Sequence, residues 1–240
     1  MNGNTLLQEC GFLHNCLFLR SDRVLIAADV HIGMEEELHC QGQHFPLNEE
    51  ETLLARFGEA IEFFHPQRII LDGDIMHSFA TIPRRVREKF RRILSTITEY
   101  AEVTLIRGSH DRLLPYITGT STAESVVIGQ WHIAHGDRDL DRDRSLIIGH
   151  EHPILELDMA REPCFLFGER ICDGHDLLIL PAFNPLCQGV VVNSLQCGEL
   201  LAPELRSIDP ADLQPVVEHA GEVFLFPPLG KIQACSPALH

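Results

Sequence analysis

No window of this sequence approaches the ~18 uncharged apolar residues that a membrane-spanning helix requires. The first residues, MNGNTLLQECGF, lack the basic region and long apolar stretch of a secretory signal, so a cytoplasmic protein without membrane association is expected. Also missing is any CxxC pair. The eight cysteines (Cys10, Cys16, Cys40, Cys164, Cys172, Cys187, Cys197, Cys235) are scattered, which fits neither a zinc knuckle nor a dense disulfide framework and points to reduced, mostly buried thiols. Positive charge is scarce: 19 Lys and Arg stand against 35 Asp and Glu, and a net charge of -16 disfavours generic coating of a polyanion. No repeat, low-complexity segment or long linker divides the 240 residues, so one domain over 1–240 is expected.

What is present is ordinary globular composition, 45% hydrophobic and 22% charged, together with 14 histidines, which are many for this length. Residues 17–28, LFLRSDRVLIAA, hold two apolar runs split by Ser-Asp and predict a hairpin whose second strand runs into Asp29. From Asn48 to Phe64 the apolar positions Leu53, Leu54, Phe57, Ile61 and Phe64 follow helical spacing, with acidic residues at the positive end. A strand RIILDGD ending at Asp74, a helix after Pro83 and a strand EVTLIRG complete a half in which strand and helix alternate, as in a parallel α/β sheet. Beyond about residue 125 the pattern changes to short strands, with one short helix expected near Ala211 to His219.

Five polar clusters share one position, the C-terminal end of an expected strand. They are ADVH (Asp29, His31), DGD (Asp72, Asp74), GSHD (Ser109, His110, Asp111), AHGD (His135, Asp137) and GHEH (His150, His152). In open α/β sheets that edge is where ligands bind. Asp and His two residues apart turn to opposite sides of an ideal strand, but just past its end a bend brings both onto one ion. Mixed carboxylate and imidazole donors suit Mn, Fe or Zn better than Ca or Mg. Any one such histidine alone is more often a surface or hydrogen-bonded core residue; the joint placement is what carries the metal reading.

In this order the motifs DxH, GD, GxHD, H and GHxH resemble those of the calcineurin-like metallophosphoesterase superfamily. Over roughly residues 15–195, including LLILPAFNPLCQGVVVN, the chain resembles a prokaryotic branch related to the DNA-ligase-associated phosphoesterases. The resemblance implies an α/β fold, a four-layer α/β/β/α sandwich of two mixed sheets flanked by helices. It also implies two divalent transition-metal ions, Mn foremost, with Zn, Fe or Ni as alternatives. Asp29, His31 and His152 would hold the first ion, His135 and His150 the second, and Asp74 would bridge them. A metal-activated hydroxide would attack phosphorus, with His110 as general acid and Asp111 orienting its ring. One position departs from the pattern: Ser109 stands where family members usually have a ligating asparagine, so a weakened second site is expected.

Arg107 and Arg112 flank His110 and are candidate phosphate contacts, as is His77, three residues beyond Asp74. RRVREKFRR (84–92) carries six of the basic residues. A solvated helix face is the ordinary reading, and a stripe guiding a phosphodiester backbone, DNA or RNA, the sharper one. The expected function is therefore a phosphodiesterase acting on phosphoesters, including nucleic acid. The same centre would also serve a phosphomonoesterase or small-nucleotide hydrolase. A non-catalytic binding module with an impaired metal site is the reading that Ser109 alone supports.

Overall fold

A computed structural model of the chain describes residues 1–44, 46–77, 82–119, 121–157 and 160–233. Helix α1 (Gly3–Glu9) leads into a five-stranded sheet with strands in sequence order: β1 (Cys10–Leu13), β2 (Cys16–Leu19), β3 (Val24–Ala28), β4 (Arg68–Asp72) and β5 (Glu102–Ile106). The β2–β3 hairpin is antiparallel and β3, β4 and β5 run parallel. Between these strands lie α2 (Met34–Cys40), α3 (Glu49–Phe64) and α4 (Arg84–Thr98), and α5 (Leu114–Thr118) follows β5. Helix α3 starts where the Asn48 side chain accepts from the Glu51 N–H, with Glu49, Glu50 and Glu51 in the first turn against the positive helix end. It stops at His65, which turns left-handed, just before Pro66.

The second half builds a seven-stranded sheet in the order β15-β14-β11-β12-β8-β7-β6. Its strands are β6 (Ser125–Ile128), β7 (Trp131–Ala134), β8 (Ser145–Ile148), β11 (Phe165–Cys172), β12 (His175–Ile179), β14 (Gln214–His219) and β15 (Glu222–Leu225). Strands β7, β8 and β12 are mutually parallel. A small sheet of β9 (Pro153–Leu157), β10 (Ala160–Pro163) and β13 (Val190–Val191) and a short helix α6 (Leu229–Gln233) complete the chain.

The two sheets stack. All five residues of β3 are buried, as expected of a strand covered on both faces. Leu25 and Ala27 pack with Phe57, Ile61, Val86, Phe90 and Ile93 of the helices α3 and α4. Ile26 and Ala28 point the other way, into a core shared with Ile133, Ile147, Phe165 and Leu178 of the second sheet. On the far side of that sheet Leu146, Ile148 and Ile179 pack under Leu200, Leu205, Ile208 and Leu229. This outer layer is made mainly of short 3₁₀ turns, α6 and the small sheet, so the two mixed sheets are flanked by long helices on one side only.

Two sequence expectations change. Residues 210–219 are a 3₁₀ turn (Pro210–Asp212) followed by strand β14, because Val216 and Val217 are buried on opposite faces while β14 pairs with both β11 and β15. Strand β4 ends at Asp72, and Asp74 lies in the loop beyond. The seven described cysteines are free thiols, and Cys235 lies outside the described residues.

Candidate metal centre

Each parallel strand near the middle of the sandwich releases its chain at the same edge. After β3 come Asp29 and His31, after β4 Asp74, after β5 Ser109 and His110, after β7 His135, and after β8 His150 and His152. At each metal candidate but Ser109 and His135 the backbone turns abruptly. Asp29, His31, Asp74, His150 and His152 all adopt positive φ (56°, 43°, 42°, 69° and 45°). Left-handed non-glycine residues cost about 1 kcal/mol or more each and cluster at functional sites. The bend anticipated beyond the strand ends is thus present, and it turns neighbouring side chains inward.

Two triads result, each with donor atoms within 4.8 Å of one another: Asp29, His31 and His152, and Asp74, His135 and His150. In the first, His152 Nε2 lies 3.0 Å and His31 Nε2 3.9 Å from Asp29 Oδ1. In the second, His135 Nε2 lies 3.3 Å from Asp74 Oδ2. The clusters adjoin, since His135 Nδ1 is 3.9 Å from Asp29 Oδ1 and the His31 and His110 ring centroids are 5.1 Å apart. Close approach demands glycine around the site: a Cβ on Gly73 would meet the His135 ring at 2.3 Å, and one on Gly108 would meet Asp74 Oδ1 at 2.2 Å.

The donors fit divalent cations. His135 Nδ1 faces the Asp72 carbonyl at 3.2 Å and His152 Nδ1 the Gln188 carbonyl at 3.3 Å, which fixes the rings and leaves Nε2 turned to the carboxylates. Asp29 Oδ1 and His135 Nε2 are buried without a well-angled hydrogen bond, despite the 3.0 Å approach of His152 to the former. A cation in each triad would satisfy these two atoms. The electrostatics agree. Burial opposes a charge on His135, but Asp29 and Asp74 outweigh it and raise its pKa to about 10. Burial would raise Asp74 and Asp29, yet the neighbouring histidines hold both below the ordinary carboxylate range. Burial pushes His31 down to about 3 against the pull of Asp29, so its ring stands neutral.

Asp74 is held by the GSHD turn: its Oδ1 accepts from the His110 N–H at 2.8 Å, and Ser109 Oγ lies 3.3 Å from both carboxylate oxygens. Ser109 thus stands at the second cluster. Asp111 also ties two loops together. Its buried carboxylate accepts from the N–H groups of Ile75, Met76 and Gly108, each at 3.0 Å, and so staples the loops after β4 and β5 together. Burial is the main cause that raises it, to about 6.

The site opens into a cleft of about 480 Å³ floored by His31, Asp74, Ser109, His110, His150 and His152, with His77 beside them. His77 Nδ1 lies 3.3 Å from His31 Nδ1. The two flanking arginines are elsewhere. Arg107 pairs with Glu124 and lines a separate cavity of about 240 Å³ with Asp137 and Arg138, and Arg112 is exposed and absent from the cleft lining. The basic helix is largely neutralised. Arg84 pairs with Glu88, Arg85 with Glu36 and Arg92 with Glu50, while Lys89, only 2% exposed, sits among Glu35, Glu36 and Glu49. Those three glutamates could hold a cation, and the Lys89 ammonium occupies that place.

Sequence reasoning missed the support behind the first triad. Asn184 Nδ2 donates to the carbonyl of Val30 and to Glu49 Oε1, both at 3.0 Å, and Glu49 Oε2 accepts from the Gly33 N–H at 3.1 Å and from Lys89 Nζ at 2.6 Å. These buried groups clamp the loop that carries Asp29 and His31. The available signal was position: Asn184 follows β12, a further parallel strand ending at the same edge. Glu151, between the two histidines of GHEH, was also missed; it accepts from the N–H groups of Leu201 and Ala202.

No family model matches this chain, and no curated protein matches it either. Among solved structures, the Pseudomonas putida nuclease MPE shares its fold, with a TM-score of 0.65 and 23% identity over 90% of this chain and 94% of that one.

Proposed function

We propose that this chain is a single-domain, dinuclear metal-dependent phosphoesterase of the calcineurin-like kind that cleaves phosphodiesters, nucleic acid among them. The observation that carries the reading is the adjacency of two carboxylate–imidazole triads at one cleft, with His110 beside them in its lining. Asp29, His31 and His152 would hold one cation and Asp74, His135 and His150 the other, with Asp74 shared; Mn suits this donor set. When bound, such cations supply Lewis-acid polarisation of a phosphoryl group and a lowered pKa for water. The nuclease nature of the structural neighbour supports the substrate class.

The chain's own groups do the rest. His110 offers the proton for the departing oxygen from Nε2, the ring nitrogen turned to Asp74 Oδ2 at 3.7 Å, while Nδ1 is buried. Burial holds this imidazole below its ordinary range and Asp74 pulls the other way. An anionic phosphate in the cleft acts in the same sense as Asp74, so substrate itself favours the protonated donor. Asp111 positions that donor by holding Gly108 and the loop after β4. Ser109, bonded to Asp74, weakens the second site relative to an asparagine ligand.

The deciding experiment is hydrolysis of paired diester and monoester reporters by protein loaded with Mn, Zn, Ni or Mg, then of DNA and RNA. Turnover with two cations per chain supports the proposal; one tight cation and no turnover of any ester sinks it and leaves the binding module. Ser109→Asn should tighten the second cation, and unchanged metal affinity would discard the weakened-site idea.

A further inference from the structure

The walls of the cleft are chemically unlike its floor. Met34 and Leu38 on α2 and Leu186, Val190 and Leu201 opposite line it, and all five are partly or fully exposed rather than packed into a core. Helix α2 buries no residue at all, and Leu201 is 47% exposed. Apolar side chains left open around a polar floor mark a ligand surface, and the volume lies within the ~300–1,000 Å³ of small-molecule sites. Gln41 and Gln188 add amides, and Glu37 adds a negative charge. No Lys or Arg lines the cleft, and every Lys and Arg of the chain is among the described residues.

From this we infer that the cleft is a nucleoside subsite: it takes the uncharged sugar and base attached to a singly charged scissile phosphate, with the base between α2 and the 186–201 wall. The inference rests on the phosphodiesterase reading and narrows it. A terminal phosphomonoester or a polyphosphate would bring further negative charge into a space that offers no Lys or Arg to neutralise it and where Glu37 would oppose it. A base, by contrast, has apolar faces for the Met34 and Leu38 wall and edges that amides can bond.

The test compares two diesters with the same leaving group, thymidine 5′-(p-nitrophenyl phosphate) and methyl p-nitrophenyl phosphate, on Mn-loaded full-length protein. The wild type should favour the nucleoside ester in kcat/KM by about tenfold or more, and Leu38→Ala should cut that ratio by about tenfold, the worth of one leucine contact. Leu201→Ala, at an exposed position that folding does not depend on, should lower the ratio in the same direction. Equal kcat/KM for the two esters in the wild type, or a ratio that neither substitution moves, overturns the subsite while leaving the phosphodiesterase centre standing. Turnover of neither ester overturns both.

Discussion

The two sheets of this molecule contribute different chemistry to one site. The five-stranded sheet brings both carboxylates, Asp29 and Asp74, with His31; the seven-stranded sheet and the loop beyond it bring His135, His150 and His152. Neither half by itself holds either of these two carboxylate–imidazole triads. Each candidate cation therefore lies across the seam, where the His150 N–H donates to Asp29 Oδ2 and the Phe183 N–H to the Ala28 carbonyl. The centre is a property of the stacking: loops that are strained one by one are held because each meets a partner from the other sheet.

The sharpest way to break this comparison is to remove one donor from each side. Asp29→Asn and His152→Asn should each remove the same cation and His150→Asn the other, while Asp74→Asn, which loses the shared carboxylate, should weaken both, with kcat falling about 10³-fold for the carboxylate changes. Native mass spectrometry of metal content decides it. If the pairs sort by sheet instead of by triad, the seam model is wrong.

Next in size is the clamp behind the first triad. Lys89→Met leaves Glu49 buried without its cation, and urea unfolding should show a loss of about 3–5 kcal/mol, whereas adding Glu49→Gln should recover much of it by removing the lone charge.

Metal should then fasten the halves together. Cation at about 100 times Kd should stabilise the fold by about 2.7 kcal/mol if it binds only the folded chain, read as a rise in Tm that EDTA reverses. The pH dependence sharpens this. In the metal-free protein His135 is raised from 6.5 to about 10, so its contribution is complete below pH 6.5 and lost as pH climbs through 10. Buried Asp72, raised from 3.8 to about 8, loses stability in the same direction as it ionises. Metal-free melts should therefore decline between pH 7 and 10. Cation affinity should increase over that range, because loading displaces the His135 proton. A flat metal-free profile would count against this electrostatic account.

The smallest effect is expected from the basic helix. Arg87 and Arg91 are exposed and stand in none of the described ion pairs, yet the helix they share is otherwise neutralised, so Arg87→Ala with Arg91→Ala should change stability by less than about 0.5 kcal/mol. Its effect on cleavage of short diesters should stay within about twofold.

The first half was the legible one. Helices α3 and α4 are long enough for the 3.6-residue period to show, β3 is an unbroken apolar run, and the apolar stretches of β3, β4 and β5 each stop shortly before a donor residue. In the second half, short strands such as β9, β10 and β14 carry too few residues for a period to declare itself, and Gln214–His219 reads equally well as helix. Side-chain partnerships were not legible at all. Nothing in RRVREKFRR says that Lys89 turns inward to Glu49, or that Arg107 leaves the cleft for Glu124.

By itself the sequence determined which residues could ligate, since DxH, GD and GHxH are local arrangements placed by strand endings. Tertiary structure alone gathered them into groups that could each hold an ion, because each triad joins residues more than sixty positions apart through the parallel strands of two stacked sheets. It also decided that the walls of the cleft are largely apolar and carry no Lys or Arg. That depends on which faces of α2 and of the 186–201 segment are left uncovered when the layers close, and no one-dimensional pattern encodes it.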